Sequence, residues 1–497
     1  MSNPEREELI RVVFSRYPTE EWATFVRFGW RDTGDTLVLT LAGIDPPGPG
    51  ELDDGVEHVA IQEAYTLRTA LHAETHPLAV GVVHSHPEGC PPVPSLIDDD
   101  MDAYFSDYLS GFAPGRPYVS LIVSKIDDQV VFGGRAFHGG RWYRIARFPS
   151  AGEPIRLHRD DRPDPGDLEA VARLAAAFGD DAARRLRAAT VGVVGAGGTG
   201  SAAIEVLARA GVGRLIIVDP DHLERSNLER VHGSCTHDAT GRVSKVEIAQ
   251  RHARAINKRC EVVAVRGALP QELAVDKLVG ADVVLGCTDQ QHSRLALGDL
   301  VVRYLVPAID CGVALEGREG VVRGQIVQML RWLPADPCAV CRRLVSLRRV
   351  SQELMSEQER EARRLAAQAA NPDGTPDSAY WEEVPQLNTV GYLTTTAGAL
   401  AAGYAIGWIT GRFQPPFERL QMNLSAPDFE VISWGDSPDG ECACRRVRGW
   451  GDQGYADAWV SPPDHWPPAA LVHHRPSAVR CIQHEAGPVH RRANQTR

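Results

Sequence analysis

The strand-like run Thr190-Val-Gly-Val-Val194 passes directly into Gly195-Ala-Gly-Gly-Thr-Gly200 and then into the helix-like stretch 202–210. Few local patterns restrict a fold more. A buried strand, a glycine turn and a helix in that order open a βαβ unit, because glycine alone lets the strand end fold tightly onto the helix start. The glycines also let backbone approach a phosphate, and the first turn of the helix offers N–H groups that lack intrahelical partners. A second strand-like run, Arg214-Leu-Ile-Ile-Val218, ends at Asp219, where a carboxylate can accept ribose hydroxyls. From 169 to about 340, helical and strand patterns alternate, which predicts a doubly wound parallel sheet. Taken alone, the loop is a generic dinucleotide fingerprint with NAD as its default ligand.

Four features move the expected ligand from NAD to ATP. The glycine string carries an extra central glycine, Gly-x-Gly-Gly-x-Gly. Asp219 continues through Asp221 into Arg-Ser-Asn227-Leu-Glu-Arg230. Gly241-Arg-Val-Ser-Lys245 then places a lysine on the next helix, and Val283-Val-Leu-Gly-Cys-Thr288-Asp289 ends a later strand on Thr-Asp. Together these motifs resemble the ThiF/MoeB family of ubiquitin-activating-like adenylyltransferases, over roughly 170–345 and again 385–445. The resemblance implies ATP with Mg2+ as cofactor and a ubiquitin-like (β-grasp) protein as partner, whose C-terminal glycine is adenylated. It implies nucleotide contacts from Gly195, Gly197, Gly198, Gly200 and Asp219, and phosphate neutralisation by Arg230 and Lys245. Asn227 would position Arg230 or the nucleotide, and Asp289 would hold Mg2+.

The same resemblance implies a structural zinc held by Cys338-Ala-Val-Cys341 and Cys442-Ala-Cys444, although the second half is Cys-x-Cys where the family usually has Cys-x-x-Cys. Thioester-forming members need a cysteine in the crossover segment after the first pair. Between Cys341 and Cys442 there is none, and Leu387 in Pro385–Gly391 stands near the expected position. Adenylation without a thioester there is therefore expected, with Cys235 as an alternative acceptor. A homodimer is implied, in which Arg173 is the candidate arginine supplied to the partner protomer.

A second centre is written in Gly81-Val-Val-His84-Ser-His86-Pro, followed after seven residues by Ser95-Leu-Ile-Asp98. Residues two apart on a strand share a face, so His84 and His86 can bind one metal ion, with Asp98 returning as a third ligand. Two histidines and a carboxylate, with water in the fourth position, describe a catalytic zinc site. The full string resembles the JAB/MPN+ (JAMM) metalloproteases, which include deubiquitinases. That resemblance implies an upstream glutamate as general base, for which Glu21 fits the spacing best, with Glu20, Glu51 and Glu74 as alternatives. It implies Ser95 as a donor to the developing oxyanion, and Ser95 is also the expected N-cap of the following helix.

The net charge of −12 and pI of about 5.8 argue against nucleic-acid binding through an overall basic surface. The N-terminus has no secretory pattern, and no apolar run reaches about 18 residues, so a cytoplasmic chain with no membrane partner is expected. Ten cysteines with two close pairs read as metal ligands before disulfides. The expected architecture is α/β: a JAB/MPN-type α+β metalloprotease domain over 1–147, a linker over 148–168, a Rossmann-like doubly wound ThiF/MoeB-type domain over 169–449, and a Pro/His/Trp-rich appendage over 450–497. A charged helix is expected over 352–370, and a buried one around 398–409. The combined expectation is a bifunctional enzyme of a bacterial-type ubiquitin-like pathway, working with a conjugating enzyme or a sulfur-transfer partner. The alternative is a peptidase fused to an NAD-type oxidoreductase or a scaffold domain.

Overall fold

The computed structural model describes residues 1–18, 20–53, 59–152, 154–159, 169–370, 389–426, 430–435, 440–457 and 460–473. The first part runs α1 (Asn3–Val13), β1 (Ala23–Asp32), β2 (Leu37–Asp45), β3 (Leu52–Asp53), β4 (Ala60–Ile61), α2 (Glu63–Thr75), β5 (Ala79–Ser85), α3 (Leu96–Ser110), β6 (Tyr118–Ile126), β7 (Gln129–His138) and β8 (Arg141–Arg144). Six strands form one sheet in the order β2-β1-β5-β6-β7-β8, parallel only between β5 and β6. Both faces are covered, and alternation decides which residue meets which helix. Val83 and Ala79 pack with Leu9 and Val13 of α1. Val80 and Val82 face Tyr65 of α2 and Phe105 and Leu109 of α3. His84 and His86 continue that second parity, toward the side that α3 covers.

β9 (Arg147–Ser150) and β10 (Arg156–Arg159) pair antiparallel, so the expected linker begins as a small ladder with Phe148 and Ile155 buried. Residues 160–168 lie outside the described residues. The second part runs α4 (Ala172–Phe178), α5 (Asp180–Ala188), β11 (Thr190–Val194), α6 (Gly198–Arg209), β12 (Arg214–Val218), α7 (Thr236–Thr240), α8 (Lys245–Ile256), β13 (Glu261–Arg266), α9 (Glu272–Leu278), β14 (Val283–Gly286), α10 (Gln291–Tyr304), β15 (Ala308–Arg318), β16 (Val321–Trp332), α11 (Leu347–Leu354), α12 (Glu357–Ala370), α13 (Gly391–Thr410), β17 (Arg419–Asn423), β18 (Glu430–Trp434) and β19 (Ala470–Val472).

Nine strands order as β18-β17-β16-β15-β14-β11-β12-β13-β19. The block from β15 to β13 is parallel, with antiparallel strands at both flanks. Residues of α6, α8 and α13 fill one face, and residues of α9, α10 and α11 the other. The chain winds from β11 outward to β13 and then jumps to β14 on the other side of β11. That reversal opens a crevice at the carboxyl ends of β11 and β14, where ligands bind in such sheets.

Two expected elements differ. The helix expected over 352–370 is two helices, broken at Met355-Ser356 because Ser356 and Glu359 form a reciprocal cap: Glu359 N–H donates to Ser356 Oγ (3.2 Å) and Ser356 N–H to Glu359 Oε2 (2.9 Å). The described part of the 450–497 segment is not an appendage. β19 pairs with β13 at the sheet edge, and residues 449–453 lie against β1 and β2. A local pattern of Pro and Trp could not reveal either contact. Leu387 and Cys481 lie outside the described residues. The buried helix around 398–409 is α13, and no helix among the described residues is long and apolar enough to cross a membrane.

Candidate active sites

The glycine loop leaves β11 with Gly195 at φ +95°, a left-handed conformation that favours glycine, and Gly195 N–H donates to Val218 O (2.8 Å). A Cβ on Gly200 would collide with the Gly195 carbonyl, so the loop folds onto α6 only because that residue is glycine. At Gly197, the residue before α6, an added Cβ would meet nothing within 4 Å. The N-terminus of this twelve-residue helix therefore opens onto space.

Asp219 closes the loop from the next strand. Its Oδ2 accepts from Ala196 N–H (2.6 Å) and its Oδ1 from Asp221 N–H (2.8 Å). Burial pushes its carboxyl up to about 6, with Asp221 adding to the rise and Lys245 and the two N–H donors opposing it. Lys245 opens α8, with Nζ 2.8 Å from Asp221 Oδ2. Burial works against its charge, but Asp219 and Asp221 outweigh that and hold the ammonium above its ordinary range. Arg230 sits over the helix start: a Cβ on Gly198 would lie 3.2 Å from Arg230 Cβ. Its Nη1 donates to Ser226 O (3.0 Å) and Glu229 Oε1 (3.1 Å). Asp289 is exposed, just beyond β14, where Cys287 N–H donates to Val194 O (2.8 Å) and ties the two strand ends together.

The loop glycines, Asp219, Lys245 and Arg230 are thus brought together, and Asp289 stands on the adjoining strand end. Asn227 is near but works within its own turn: Oδ1 accepts from Glu224 N–H (3.3 Å), and its amide faces Ser226 Oγ (3.4 Å). Cys235 caps α7 beside Asp238, and Arg173 is exposed on α4. Sequence reasoning missed Arg294. It lies five residues beyond Asp289 in the first turns of α10, its Nε 2.6 Å from buried Asp310 Oδ2, and Asp310, with a smaller contribution from Asp289, keeps it charged against burial. No local pattern marked it, because its partner Asp310 lies sixteen positions on, on the following strand.

Cys338, Cys341, Cys442 and Cys444 converge with all four sulfurs within 4.8 Å of one another. Neighbouring pairs stand at 3.6 Å (338–341), 3.6 Å (338–442) and 3.8 Å (341–444). The edge of a tetrahedron with Zn–S bonds of about 2.3 Å is about 3.8 Å, so the Cys-x-Cys half closes the set as well as a longer half would. Burial pushes the Cys442 thiol up to about 11, a cost that a bound cation would remove.

In the first sheet, His84, His86 and Asp98 also converge within 4.8 Å. His84 Nε2 is 3.1 Å from Asp98 Oδ1, and His86 Nε2 is 4.0 Å from Asp98 Oδ2. Ligand atoms around a zinc with bonds of about 2.0–2.1 Å stand about 3.4 Å apart. His86 Nδ1 faces Pro91 O at 2.9 Å, an arrangement that leaves Nε2 for a metal. His84 is buried, and its Nδ1 has no hydrogen-bond partner among the described residues. That is an orphaned polar group of the kind a metal satisfies. Ser95 and Asp98 form a capping box: Ser95 Oγ donates to Asp98 Oδ2 (2.7 Å) and accepts from Asp98 N–H (3.2 Å). Burial alone would raise the Asp98 carboxyl, but His84 and the Ser95 donors hold it well below the usual carboxylate range.

Helix α3 is aimed by a second network. Arg135 Nε donates to Asp102 Oδ2 (2.7 Å), Nη1 to Asp99 Oδ1 (2.6 Å), and Tyr118 OH to Asp102 Oδ1 (2.9 Å). Glu21 stands at the same strand end, since Ala23 pairs with His84 and Trp22 exchanges bonds with Ser85. Glu20 is held by Arg16 (3.1 Å), Glu51 by Arg68 (2.6 Å), and Glu74 is exposed on α2.

The ThiF family model matches residues 171–444. The SAMP-activating enzyme E1 of Haloferax volcanii is 37% identical over 263 residues, 52% of this chain and 82% of its own length. Adenylyltransferase and sulfurtransferase MOCS3 of Mus musculus is 42% identical over 120 residues, 24% of this chain and 25% of its own. The molybdopterin-synthase adenylyltransferase of Haemophilus influenzae is 34% identical over 142 residues, 28% of this chain and 58% of its own. Against the last two, the chain thus spans less than two thirds of the relative's length. Among solved structures, E. coli MccB aligns at TM-score 0.41 and 19% identity over 58% of this chain and 75% of its own. With the glycine loop, Asp219 and Lys245 in place at the sheet's crevice, and a family match over more than half of its length, the chain belongs to the ThiF family.

Proposed function

We propose that the ThiF-type domain adenylates the C-terminal glycine of a ubiquitin-like or sulfur-carrier protein. The observation that carries this is the pairing of a buried carboxylate at the end of β12, Asp219, with Lys245 and Arg230 at an open helix N-terminus. An NAD site needs no such cations. Two of the relatives support the choice of partner: their names describe activation of SAMP and a molybdopterin-synthase adenylyltransferase. In the reaction, a carboxylate oxygen of the partner bonds to the α-phosphorus of ATP while the bond to the bridging oxygen breaks, and pyrophosphate leaves with the electron pair. Negative charge spreads over phosphate oxygens, so fixed cations and N–H donors supply most of the stabilisation. Arg230 and the α6 N–H groups face those oxygens. Lys245 exchanges Asp221 for phosphate, and Asp219 anchors the ribose. Asp289 would hold Mg2+, which would supply positive charge against the phosphates.

The test is ATP–pyrophosphate exchange with a ubiquitin-like partner. Exchange that depends on the partner and falls about 10²–10³-fold in Lys245→Ala and Asp289→Ala is expected. A nicotinamide cofactor bound without any exchange would instead return the oxidoreductase reading.

The N-terminal centre supports a second activity, because three ligand atoms converge there on a strand end and a helix cap. We read it as a JAMM-type zinc peptidase that trims the same partner's C-terminus or removes it from targets. His84, His86 and Asp98 would hold zinc, which supplies Lewis acidity and an acidified water. Glu21 would take the proton, and Ser95 would donate toward the developing oxyanion. Fusion keeps the partner's tail at high effective concentration for both centres. A homodimer that exchanges Arg173, a conjugating or sulfur-transfer partner and a cytoplasmic setting belong to this same proposal. Mass spectrometry of the partner should show trimming that is lost in His84→Ala; trimming retained in that variant would remove the peptidase reading.

A further inference from the structure

His232 lies two residues beyond Arg230, on the segment that joins the 3-10 turn Arg225–Asn227 to α7. Three bonds tie it to two different helices. Its backbone N–H donates to Ser201 Oγ on α6 (3.0 Å), its Nδ1 is 2.9 Å from Glu205 Oε2 on α6, and its Nε2 is 2.9 Å from Thr395 Oγ1 on α13. Glu205 in turn faces His252 Nε2 on α8 (3.2 Å), and its Oε1 accepts from Arg209 Nη2 (2.7 Å). On the other side of Arg230, Glu229 Oε2 accepts from Gly391 N–H at the start of α13 (3.0 Å).

The backbone of Arg230 is therefore pinned on both flanks, while its guanidinium donates to Ser226 O and Glu229 Oε1 of its own turn. Hydrogen bonds of this kind, partly open to water, add little net stability. What they fix is position. Ser201 and Glu205 stand on the helix whose N-terminus faces the phosphates, so the clamp sets the distance between Arg230 and that helix start. A displacement of about 1 Å at such a site costs about a hundredfold in rate.

We propose that His232 is a positioning residue for the phosphate chemistry: it locks the Arg230 segment onto α6 so that the guanidinium meets the charge that develops at the α-phosphate. This rests on the adenylation reading. The ring suits the task because its two nitrogens point to opposite sides and take one partner each. With two partners fixed in opposite directions, the ring cannot rotate without breaking one of the bonds.

The test uses the full chain with ATP and its ubiquitin-like partner, and compares His232→Ala, His232→Gln, Arg230→Ala and the double variant His232→Ala/Arg230→Ala. In His232→Ala, kcat for exchange should fall at least tenfold while the KM for ATP stays within twofold. His232→Gln, whose amide can still reach a partner, should recover part of the loss. The double variant should be no slower than Arg230→Ala, because the lock acts through that arginine. Amide hydrogen exchange over 226–235 should quicken in His232→Ala, with the melting temperature little changed. Independent, multiplying losses in the double variant, or an unchanged kcat, would overturn the proposal. If the wild type shows no exchange with pyrophosphate, the adenylation reading fails on its own. The lock is then judged by hydrogen exchange alone, and unaltered protection over 226–235 would overturn it too.

Discussion

Arg31 Nε and Asp276 Oδ1 lie 2.7 Å apart, although 245 residues separate them in the chain. Arg31 is on β1 and Asp276 on α9, so the bond crosses between the two parts of the molecule. The same guanidinium reaches Asp452 Oδ1 at 2.7 Å through Nη1. Its side chain is 11% exposed, and burial works against its charge, but Tyr304, Asp452 and Asp276 together raise its pKa above the ordinary value. β1 carries this joint near one end and pairs Ala23 with His84 at the other. A single strand therefore connects the His84, His86 and Asp98 cluster to the ThiF-type domain.

Arg31→Met should uncouple the two parts. It leaves Asp276 and Asp452 partly buried without their shared cation, which typically costs more than the intact pair contributed. A loss of about 2–3 kcal/mol is expected. In calorimetry, one cooperative transition should become two, because the interface no longer binds the parts into one unit. An unchanged single transition would show that the joint contributes nothing to coupling.

His84→Ala should remove one metal ion of two. Elemental analysis of protein purified without chelator should give two zinc ions per wild-type chain, one for His84→Ala and none when Cys442→Ser is added. The melting temperature of His84→Ala should stay close to wild type, since the sheet and capping box around the cluster do not depend on that ligand. Two zinc ions retained in His84→Ala would remove the metal reading of this cluster.

Asp219 predicts a pH dependence with a definite sign. Its carboxyl is raised by burial from an ordinary value of 3.8 to about 6. Between those values the folded protein holds a proton that the unfolded chain has lost. Its contribution to stability is therefore full below pH 3.8 and is lost as pH rises through about 6. Ribose binding runs the other way, because the ionised carboxylate is the better acceptor. ATP affinity, measured by calorimetry, should weaken as pH falls through about 6, and Asp219→Asn should be weak and flat across the same range. A wild-type affinity independent of pH from 5 to 7 would refute this role for the carboxylate.

What could be read from the chain and what could not divides along sequence distance. The glycine loop, Asp219 and Lys245 lie within fifty residues, and the strand–turn–helix grammar that places them is local. His84, His86 and Asp98 lie within fifteen, and strand alternation with a helix cap was enough to bring them together. The four cysteines were legible across a hundred residues because two close pairs in one chain suggest a shared metal. Arg294 with Asp310, His232 with Thr395, and Arg31 with Asp276 carry no such signature. Each is a pair of ordinary charged or polar residues whose meeting depends on how whole layers pack. The same holds for β19, three residues whose partner strand lies two hundred residues earlier.

The stretch that follows Cys444 makes the cysteine cluster a clamp between the two parts. Val447 and Trp450 pack with Cys338, Cys444 and Val302, and Gly449 N–H donates to Val302 O (2.9 Å). Gly449 O then accepts from Thr40 Oγ1 (2.7 Å) and from Gly29 N–H (3.2 Å), and Gln453 Oε1 accepts from Trp30 N–H (2.8 Å). The approach is so close that a Cβ on Gly29 would overlap the Gly449 and Trp450 backbone. Gly29→Ala should therefore cost about 1–3 kcal/mol through overpacking, without touching a ligand of either cluster. Cys442→Ser should release the same stretch from its other end, by weakening the hold on metal. Both variants should expose 445–457 to limited proteolysis at protease concentrations that leave the wild type intact, and both should do so with His84, His86 and Asp98 still holding zinc. If Gly29→Ala is cleaved no faster than wild type, the stretch is held by the ThiF-type domain alone and the cysteine cluster has no part in joining the two.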